Sequence, residues 1–346
     1  MNRPVSPHLS APAAGSPRQA ILGLLADAQN SDGGWAFAKG GDSRVEPTCW
    51  ALLALANTGF APSEMARGLD FLRSTQLPDG SWPATKGMNS GGWVTSLGAL
   101  TLAQFPAHEK SVHAALQWLC DDYPRDSSRW QKLLKSLSAR KQHASHNDEF
   151  RGWGWTPRTS SWVEPTAFAL LTFAAVAKPE EASAGLSACE PALLPVPPQL
   201  AKPMSDRRPL AIGLLYDRMC SGGGWNCGNP RVYGVDGEAL ILPTCWALLA
   251  LGDAPDHPKR AASLAWLEKS FPTIASPGSL AVAKITLESY NLPLPSARHP
   301  LADFSPDDLE GQGTHVAAWA ALALNPSRVW PARFSESSAT PRQAQP

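Results

Sequence analysis

The sequence repeats one unit: a glycine-rich turn that ends in tryptophan, followed 9–17 residues later by a stretch rich in alanine and leucine. The most complete copy spans residues 67–82, where Gln76 leads into the turn and Trp82 ends it. Other copies end at Trp35, Trp155 and Trp225, and a weak copy lies at Gly311-Gln312-Gly313. A recurring unit decides the architecture, because each copy buries its apolar face against its neighbours.

The unit contains two different helices. The apolar stretches after the turns begin at Glu46, Trp93, Glu164, Leu242 and His315. Alanine and leucine favour helix, and a helix that is apolar all round is buried. Residues 62–76, before a turn, instead mix charge with an apolar stripe, which is typical of an outward-facing helix. Stacked pairs of outer and inner helices form an open solenoid or a closed ring.

A family resemblance favours the ring. Residues 67–82 are similar to the QW motif of the squalene–hopene cyclases at Arg67, Gly68, Phe71, Gln76, Gly80 and Trp82. The chain therefore resembles the terpenoid cyclase and protein prenyltransferase superfamily over roughly residues 17–325. That resemblance implies an all-α fold, an α/α toroid of five or six helix pairs. It also implies that the turn tryptophans tie the outer helices to the inner helices.

We predict one toroid domain over residues 17–325, flanked by disordered tails at 1–16 and 326–346 that are rich in Pro, Ala and Ser. A Pro-rich loop is expected at 178–206, where the repeats are interrupted. The stretch 121–147 fits either a further helix pair or an inserted helix at 128–142.

Composition limits where in the cell the protein is expected and which partners it is expected to bind. The 30 basic and 30 acidic residues form no basic patch, so we expect no nucleic-acid partner. The first 16 residues lack the apolar segment of a secretory signal. The longest apolar helix, residues 165–177, is too short to span a bilayer. We therefore expect a cytoplasmic protein, and the sequence leaves peripheral membrane contact open.

Two positions of the inner helices carry the candidate site. The first position reads Glu46, Trp93, Glu164, Leu242 and His315, and the position four residues later reads Trp50, Leu97, Phe168, Trp246 and Trp319. A spacing of four places both on one helix face. We therefore predict a central cavity with carboxylates at its rim and an aromatic wall. Its candidate catalytic residues are Glu46, Glu164 and His315, and its candidate substrate-binding residues are Trp50, Trp93, Phe168, Trp246 and Trp319. A protonated acid and ring faces can together generate and stabilise a carbocation.

The resemblance adds a comparison of motifs. Class II cyclases carry Asp-x-Asp-Asp-Thr-Ala, whose middle aspartate protonates the polyprene. Glu46 and Glu164 fall on that position, but the flanking acids are replaced by Arg44 or Trp162 before it and by proline after it. The structural alternative is that a glutamate at a helix start caps free N–H groups and interacts favourably with the helix dipole.

Zinc is the second chemistry implied by the resemblance. Prenyltransferase β subunits bind zinc through Asp-x-Cys and a distant histidine. Here Cys245 and His315 are candidates, but Pro243 occupies the aspartate position and Asp236 is displaced. These three residues are weak metal candidates, so we expect no metal and no cofactor.

The leading hypothesis is a squalene-cyclase-like or prenyltransferase-like protein that binds a polyisoprenoid lipid in a central cavity and cyclises it by protonation. One alternative is a non-catalytic toroid that acts as a lipid-binding or protein-interaction subunit. Another is a zinc-dependent prenyltransferase-like subunit. Class II cyclases usually pair two barrels, which leaves a partner subunit open. An enzyme should have Glu46 or Glu164 facing an apolar cavity, whereas a scaffold should have that cavity filled by side chains.

Overall fold

The computed structural model describes residues 15–122, 124, 147, 149–177 and 194–325, and the fold is given for these. Twelve α-helices in these residues alternate between an outer and an inner layer. The outer helices are α1 (Pro17–Asp27), α3 (Pro62–Thr75), α5 (Glu109–Asp121), α7 (Pro198–Asp217), α9 (Pro258–Ser270) and α11 (Pro306–Gly311). The inner helices are α2 (Val45–Leu55), α4 (Val94–Leu102), α6 (Val163–Ala174), α8 (Ile241–Ala250), α10 (Pro277–Ser289) and α12 (Thr314–Ala323).

The inner helices close a ring. Each packs on the next in chain order, and α12 packs on α2. The outer helices pack on this ring, for example α3 on α2 and α9 on α8. The described residues therefore form an α/α toroid with six helices in each layer, which confirms the predicted fold class.

Burial follows the two kinds of sequence. Every residue of α4 is buried, as expected for a helix that is apolar all round. Helix α3 buries only Gly68, Phe71, Leu72 and Thr75, which form one stripe at helical spacing. The buried core therefore consists of the inner helices and of their interface with the outer helices.

The turn tryptophans join the layers through two hydrogen bonds each. The backbone N–H donates to a threonine Oγ1 in the first turn of the inner helix, in the pairs Trp35–Thr48 (2.9 Å), Trp82–Thr95 (2.9 Å), Trp153–Thr166 (3.0 Å) and Trp225–Thr244 (2.8 Å). The indole Nε1 donates to a carbonyl near the end of the outer helix, on Leu25, Leu72, Leu119 and Leu215 respectively. In the third copy the joining residue is Trp153. The predicted Trp155 instead packs its ring on Trp93.

A glutamine before the turn links successive pairs. Gln76 Nε2 donates to the carbonyls of Gly80 and Ser111, both at 2.9 Å, and Ser111 belongs to the following outer helix. The turn requires glycine at residue 80, because its φ is +89° and an added Cβ would lie 2.4 Å from the Ala114 carbonyl oxygen.

The structure changes several expectations about how the chain is organised. The loop predicted over 178–206 is wrong at its end, because helix α7 begins at Pro198 and includes Pro203 and Pro209. The inner helix α10 was not predicted. No glycine–tryptophan turn precedes it, and a short 3₁₀ turn, Phe271–Thr273, takes that place. Parts of these predictions lie outside the described residues: the tail at 326–346, residues 1–14 of the other tail, residues 178–193 of the loop and the helix at 128–142.

Small elements complete the described part of the chain. Val176–Ala177 pairs in parallel with Leu194–Pro195, and Arg231–Val232 pairs antiparallel with Val235–Asp236. Two further 3₁₀ turns span Pro106–His108 and Leu301–Asp303.

We expect Thr95→Val to lower the free energy of unfolding by about 1–3 kcal/mol, because the buried Trp82 N–H loses its acceptor while the side-chain shape is kept. Urea denaturation measures the change. Thr273→Val is the control, since Thr273 is exposed. Equal losses in the two variants would contradict a joining role for the tryptophan–threonine hydrogen bond.

Candidate functional site

The N-terminal ends of the inner helices meet at one end of the ring and form two layers. We call the first layer the rim: Glu46, Trp93, Glu164, Leu242 and His315, all half-buried. One helical turn deeper lie Trp50, Phe168, Trp246 and Trp319, which we call the aromatic floor. We call the side of the rim that faces away from the floor the mouth. The structure therefore brings together all eight candidate residues from the sequence.

The rings of the aromatic floor contact one another across the axis. Trp50 stacks on Trp246 with ring centroids 5.5 Å apart, and it meets Trp319 edge-on at 5.5 Å. Phe168 lies 5.1 Å from Trp246 and 5.9 Å from Trp50. These are normal contact distances for aromatic pairs. The four side chains are only 0–7% exposed. The prediction of an open central cavity lined by these rings is therefore wrong, because the rings fill the axis.

Helix α10, which the sequence analysis missed, supplies the sixth side of the floor. Thr101, Thr172 and Thr286 each donate to the carbonyl four residues earlier, on Leu97, Phe168 and Val282 respectively, and by this shared pattern we assign Val282 to the floor position of α10. Val282 and Leu97 are fully buried. At Gly278 an added Cβ would lie 3.3 Å from the Trp319 ring. Helix α10 could have been located in the sequence from Thr286, which corresponds to Thr101 of α4 and Thr172 of α6.

Glu46 is an acid of unusual pKa. Its pKa is raised from 4.5 to about 7. Burial is the largest cause, a hydrogen bond from the Trp50 side chain partly opposes it, and the charge of Glu164 adds a smaller rise. Near neutral pH a large share of this carboxyl is therefore protonated. The N-cap residue of α2, Arg44, makes no side-chain cap hydrogen bond, and Glu46 lies in the first turn, where the helix dipole favours a carboxylate.

Glu164 occupies the equivalent position on α6, with a different neighbourhood. The floor residue below it is Phe168, which has no N–H to donate, and burial raises the pKa of Glu164. Its charge adds to burial in raising the pKa of the Cys227 thiol. Cys227 is held beside α6 by a hydrogen bond from Val163 N to its carbonyl at 3.1 Å.

His315 and Trp93 complete the polar and aromatic parts of the rim. The His315 ring lies edge-on to Trp319 at 5.0 Å and to Phe37 at 5.5 Å. Burial lowers the pKa of His315, so its imidazole is neutral at pH 7. Trp93 packs between Trp155 and Phe168, with centroid distances of 5.4 Å to each.

The weak zinc candidates do not meet. Asp236 lies in an exposed hairpin and pairs with Arg231 at 3.6 Å. Cys245 is fully buried within α8, where its thiol faces Thr286. In the part of the chain that the structure describes, no three His, Cys, Asp or Glu side chains are grouped to hold a metal ion. Within the same residues, no helix combines the length and the apolar character needed to cross a bilayer.

Comparison with known proteins gives two informative sequence matches. No protein-family model matches the chain. Over 70 residues it is 40% identical to drimenyl diphosphate synthase from Streptantibioticus cattleyicolor, covering 20% of this chain and 13% of that protein. Over 171 residues it is 29% identical to squalene–hopene cyclase from Bradyrhizobium diazoefficiens, covering 42% of this chain and 24% of that protein. The matched segments thus span less than a quarter of either relative.

Solved structures show the same fold at low identity. The endo-β-1,4-glucanase CMCax from Acetobacter xylinum superposes with a TM-score of 0.50 at 15% identity, covering 89% of this chain and 97% of that chain. The type II terpene cyclase MstE from Scytonema, in complex with merosterolic acid A, gives a TM-score of 0.49 at 13% identity, covering 89% and 96%. The sequence matches are to squalene-cyclase-like proteins over parts of the chain, and the CMCax structure shares the toroid fold.

Proposed function

We propose that the protein is a terpenoid cyclase-like enzyme that binds an isoprenoid chain at the mouth and protonates it through Glu46. One observation carries the proposal: a half-buried carboxyl with a pKa of about 7 lies one helical turn above four mutually contacting aromatic rings. This arrangement combines a proton donor that is present in its acid form with ring faces next to the point of proton transfer.

The chemistry follows from this geometry. The proton moves from the Glu46 carboxyl to one carbon of a terminal C=C bond, whose π electrons form the new C–H bond. The other carbon becomes a carbocation, and the aromatic rings at the mouth stabilise its charge. A second double bond of the same chain then attacks the cation and closes a ring, which moves the positive charge to the far carbon of that bond. This cation loses a proton to solvent water to give a neutral cyclic alkene, and the Glu46 carboxylate takes a proton from solvent before the next turnover. The carboxylate left on Glu46 keeps the hydrogen bond from Trp50, which stabilises its charged form.

The relatives support the substrate class. Those matched in sequence are named as a drimenyl diphosphate synthase and a squalene–hopene cyclase, both names of terpenoid chemistry. A half-buried rim over a floor of apolar rings also suits a hydrocarbon chain better than a polar ligand.

A non-catalytic lipid-binding toroid is the second candidate. The observation that favours it is the closed floor, because side chains fill the axis where a deep substrate cavity would lie. The two candidates differ in whether the protein converts what it binds.

We expect purified protein to convert at least one isoprenoid between C15 and C30, supplied with and without diphosphate and analysed by mass spectrometry. Glu46→Gln should lower the rate by about 100-fold or more, since it removes the transferable proton. Glu64→Gln should leave the rate unchanged, because Glu64 also lies in the first turn of a helix but on the outer layer. Equal product from Glu46→Gln would overturn the donor assignment. Tight lipid binding without product from any substrate would favour the non-catalytic toroid.

The raised pKa of Glu46 also predicts a pH-dependent stability. A carboxyl with a folded pKa of about 7 and an unfolded pKa near 4.5 favours the folded state at low pH, and this contribution is lost as pH rises through 7. Glu46→Gln should therefore be more stable than wild type by about 1–3 kcal/mol at pH 8 and close to it at pH 5. Urea denaturation at both pH values measures the difference. A Glu46→Gln protein with the same relative stability at both would show that this carboxyl titrates normally.

A further inference from the structure

The fourth copy of the repeat is longer than the others between its tryptophan and its inner helix. Trp225 lies 19 residues before its partner Thr244, whereas the tryptophan and threonine of the other three copies are 13 residues apart. The ends of this segment are held as in the first copy, because Trp225 forms a β-bridge to Leu240 as Trp35 does to Arg44. The additional residues therefore project from the ring, and an insertion in one copy of a repeat often lies on a binding face.

The additional residues form a short hairpin at 231–236. Its strands are antiparallel, and its two-residue turn, Tyr233-Gly234, has positive φ at both positions. At the base Arg231 pairs with Asp236 in the strand register, and their side chains form an ion pair at 3.6 Å. Ser221 Oγ donates to the Asp236 carboxylate at 3.1 Å, which ties the base to the preceding turn. The hairpin is thus anchored, and its two charges offset each other.

The tip of the hairpin is apolar and exposed. Val232 and Val235 lie opposite each other and so share one face, where they are 39% and 71% exposed. Tyr233, in the turn, is 73% exposed. Tyr233 and Val235 have the largest exposed fractions among the large hydrophobic side chains of the described residues. Because these side chains are grouped rather than scattered singly, they indicate an interaction surface.

Three further exposed hydrophobic side chains lie at the same end of the ring. Phe37 and Met88 belong to the loops between the turn tryptophan and the inner helix in the first and second copies, and Leu240 directly precedes α8. In the part of the chain that the structure describes, only Leu294 is an exposed large hydrophobic residue outside these loops. Apolar side chains from three copies are thus presented where the inner helices begin, and this arrangement suits a flat partner.

We propose that the hairpin docks on the surface of a lipid bilayer and inserts Val232, Tyr233 and Val235 into its interface. The turn lies two residues beyond the charged base, a reach of about 7 Å, and interfacial segments enter a bilayer by about 5–10 Å. A tyrosine ring can sit at the headgroup level with its hydroxyl in water. The three side chains of the tip cover much less than the roughly 800 Å² per partner that a stable protein interface buries, which favours a bilayer over a second copy of the chain.

Electrostatic attraction contributes little to this docking. Arg231 and Asp236 offset each other, and the nearby exposed Glu238 adds no positive charge that would select anionic lipid. Binding to neutral phosphatidylcholine is therefore expected, with little dependence on salt.

The test is co-sedimentation of the full chain with phosphatidylcholine vesicles, with and without phosphatidylserine, at low and high salt. Wild type should bind both kinds of vesicle with similar partition coefficients. Tyr233→Ser combined with Val235→Ser should lower the partition coefficient by about 10-fold or more, because most of the apolar area of the tip is removed. Leu294→Ser is the matched control and should bind as wild type does, since Leu294 has the same 39% exposure as Val232 but lies outside these loops.

Four outcomes would overturn the proposal: no binding of wild type to either kind of vesicle, equal binding by wild type and the double variant, binding that needs phosphatidylserine and is lost in high salt, or self-association without lipid that the double variant abolishes in sedimentation velocity. If the double variant does not fold, Val235→Thr decides, because it keeps the side-chain shape and should weaken binding by about three-fold. None of these measurements depends on conversion of an isoprenoid, so the proposed function is tested separately.

Discussion

The tryptophan–threonine hydrogen bond is the interaction on which the site depends. In four copies the backbone N–H of the turn tryptophan donates to a threonine near the start of the inner helix, while its indole N–H holds the end of the outer helix. The rim residue lies two positions before that threonine and the floor residue two positions after it, as in Glu46, Thr48 and Trp50. One bond therefore fixes the register of both layers.

Because this repeated hydrogen bond sets the register, the repeat in the sequence predicted which residues lie at the same level of the ring. Equivalent positions of a repeat occupy equivalent positions of a ring, so Glu46 and Glu164 could be placed at one level from their spacing alone. Whether the rings below them touch or stand apart depends on side-chain rotamers and helix tilt, which no repeat pattern contains. The choice between Trp153 and Trp155 did have a signal in the sequence, because Trp153 lies 13 residues before Thr166, the spacing of Trp35 to Thr48 and of Trp82 to Thr95.

The two glutamates show how equal sequence contexts become unequal chemical groups. Both stand in Val-Glu-Pro-Thr, at the start of an apolar helix. The residue one turn later is Trp50 in one case and Phe168 in the other, so only Glu46 receives an indole hydrogen bond. That bond lowers the pKa of Glu46, yet the pKa still lies near 7, so desolvation is the larger effect. Burial thus disfavours the ionised form of Glu46, and the Trp50 side chain offsets part of that effect.

The closed aromatic floor bears on both the pKa of Glu46 and passage along the axis of the ring. Burial is the main cause of the raised pKa of Glu46, and the buried rings that fill the axis form part of its surroundings. The same rings stop a chain from passing deeper. A toroid with an open axis would hydrate the carboxyl and lower its pKa, so that less of the acid form would exist at neutral pH. A lone glutamate without flanking acids therefore stays partly protonated near neutral pH mainly because it is buried.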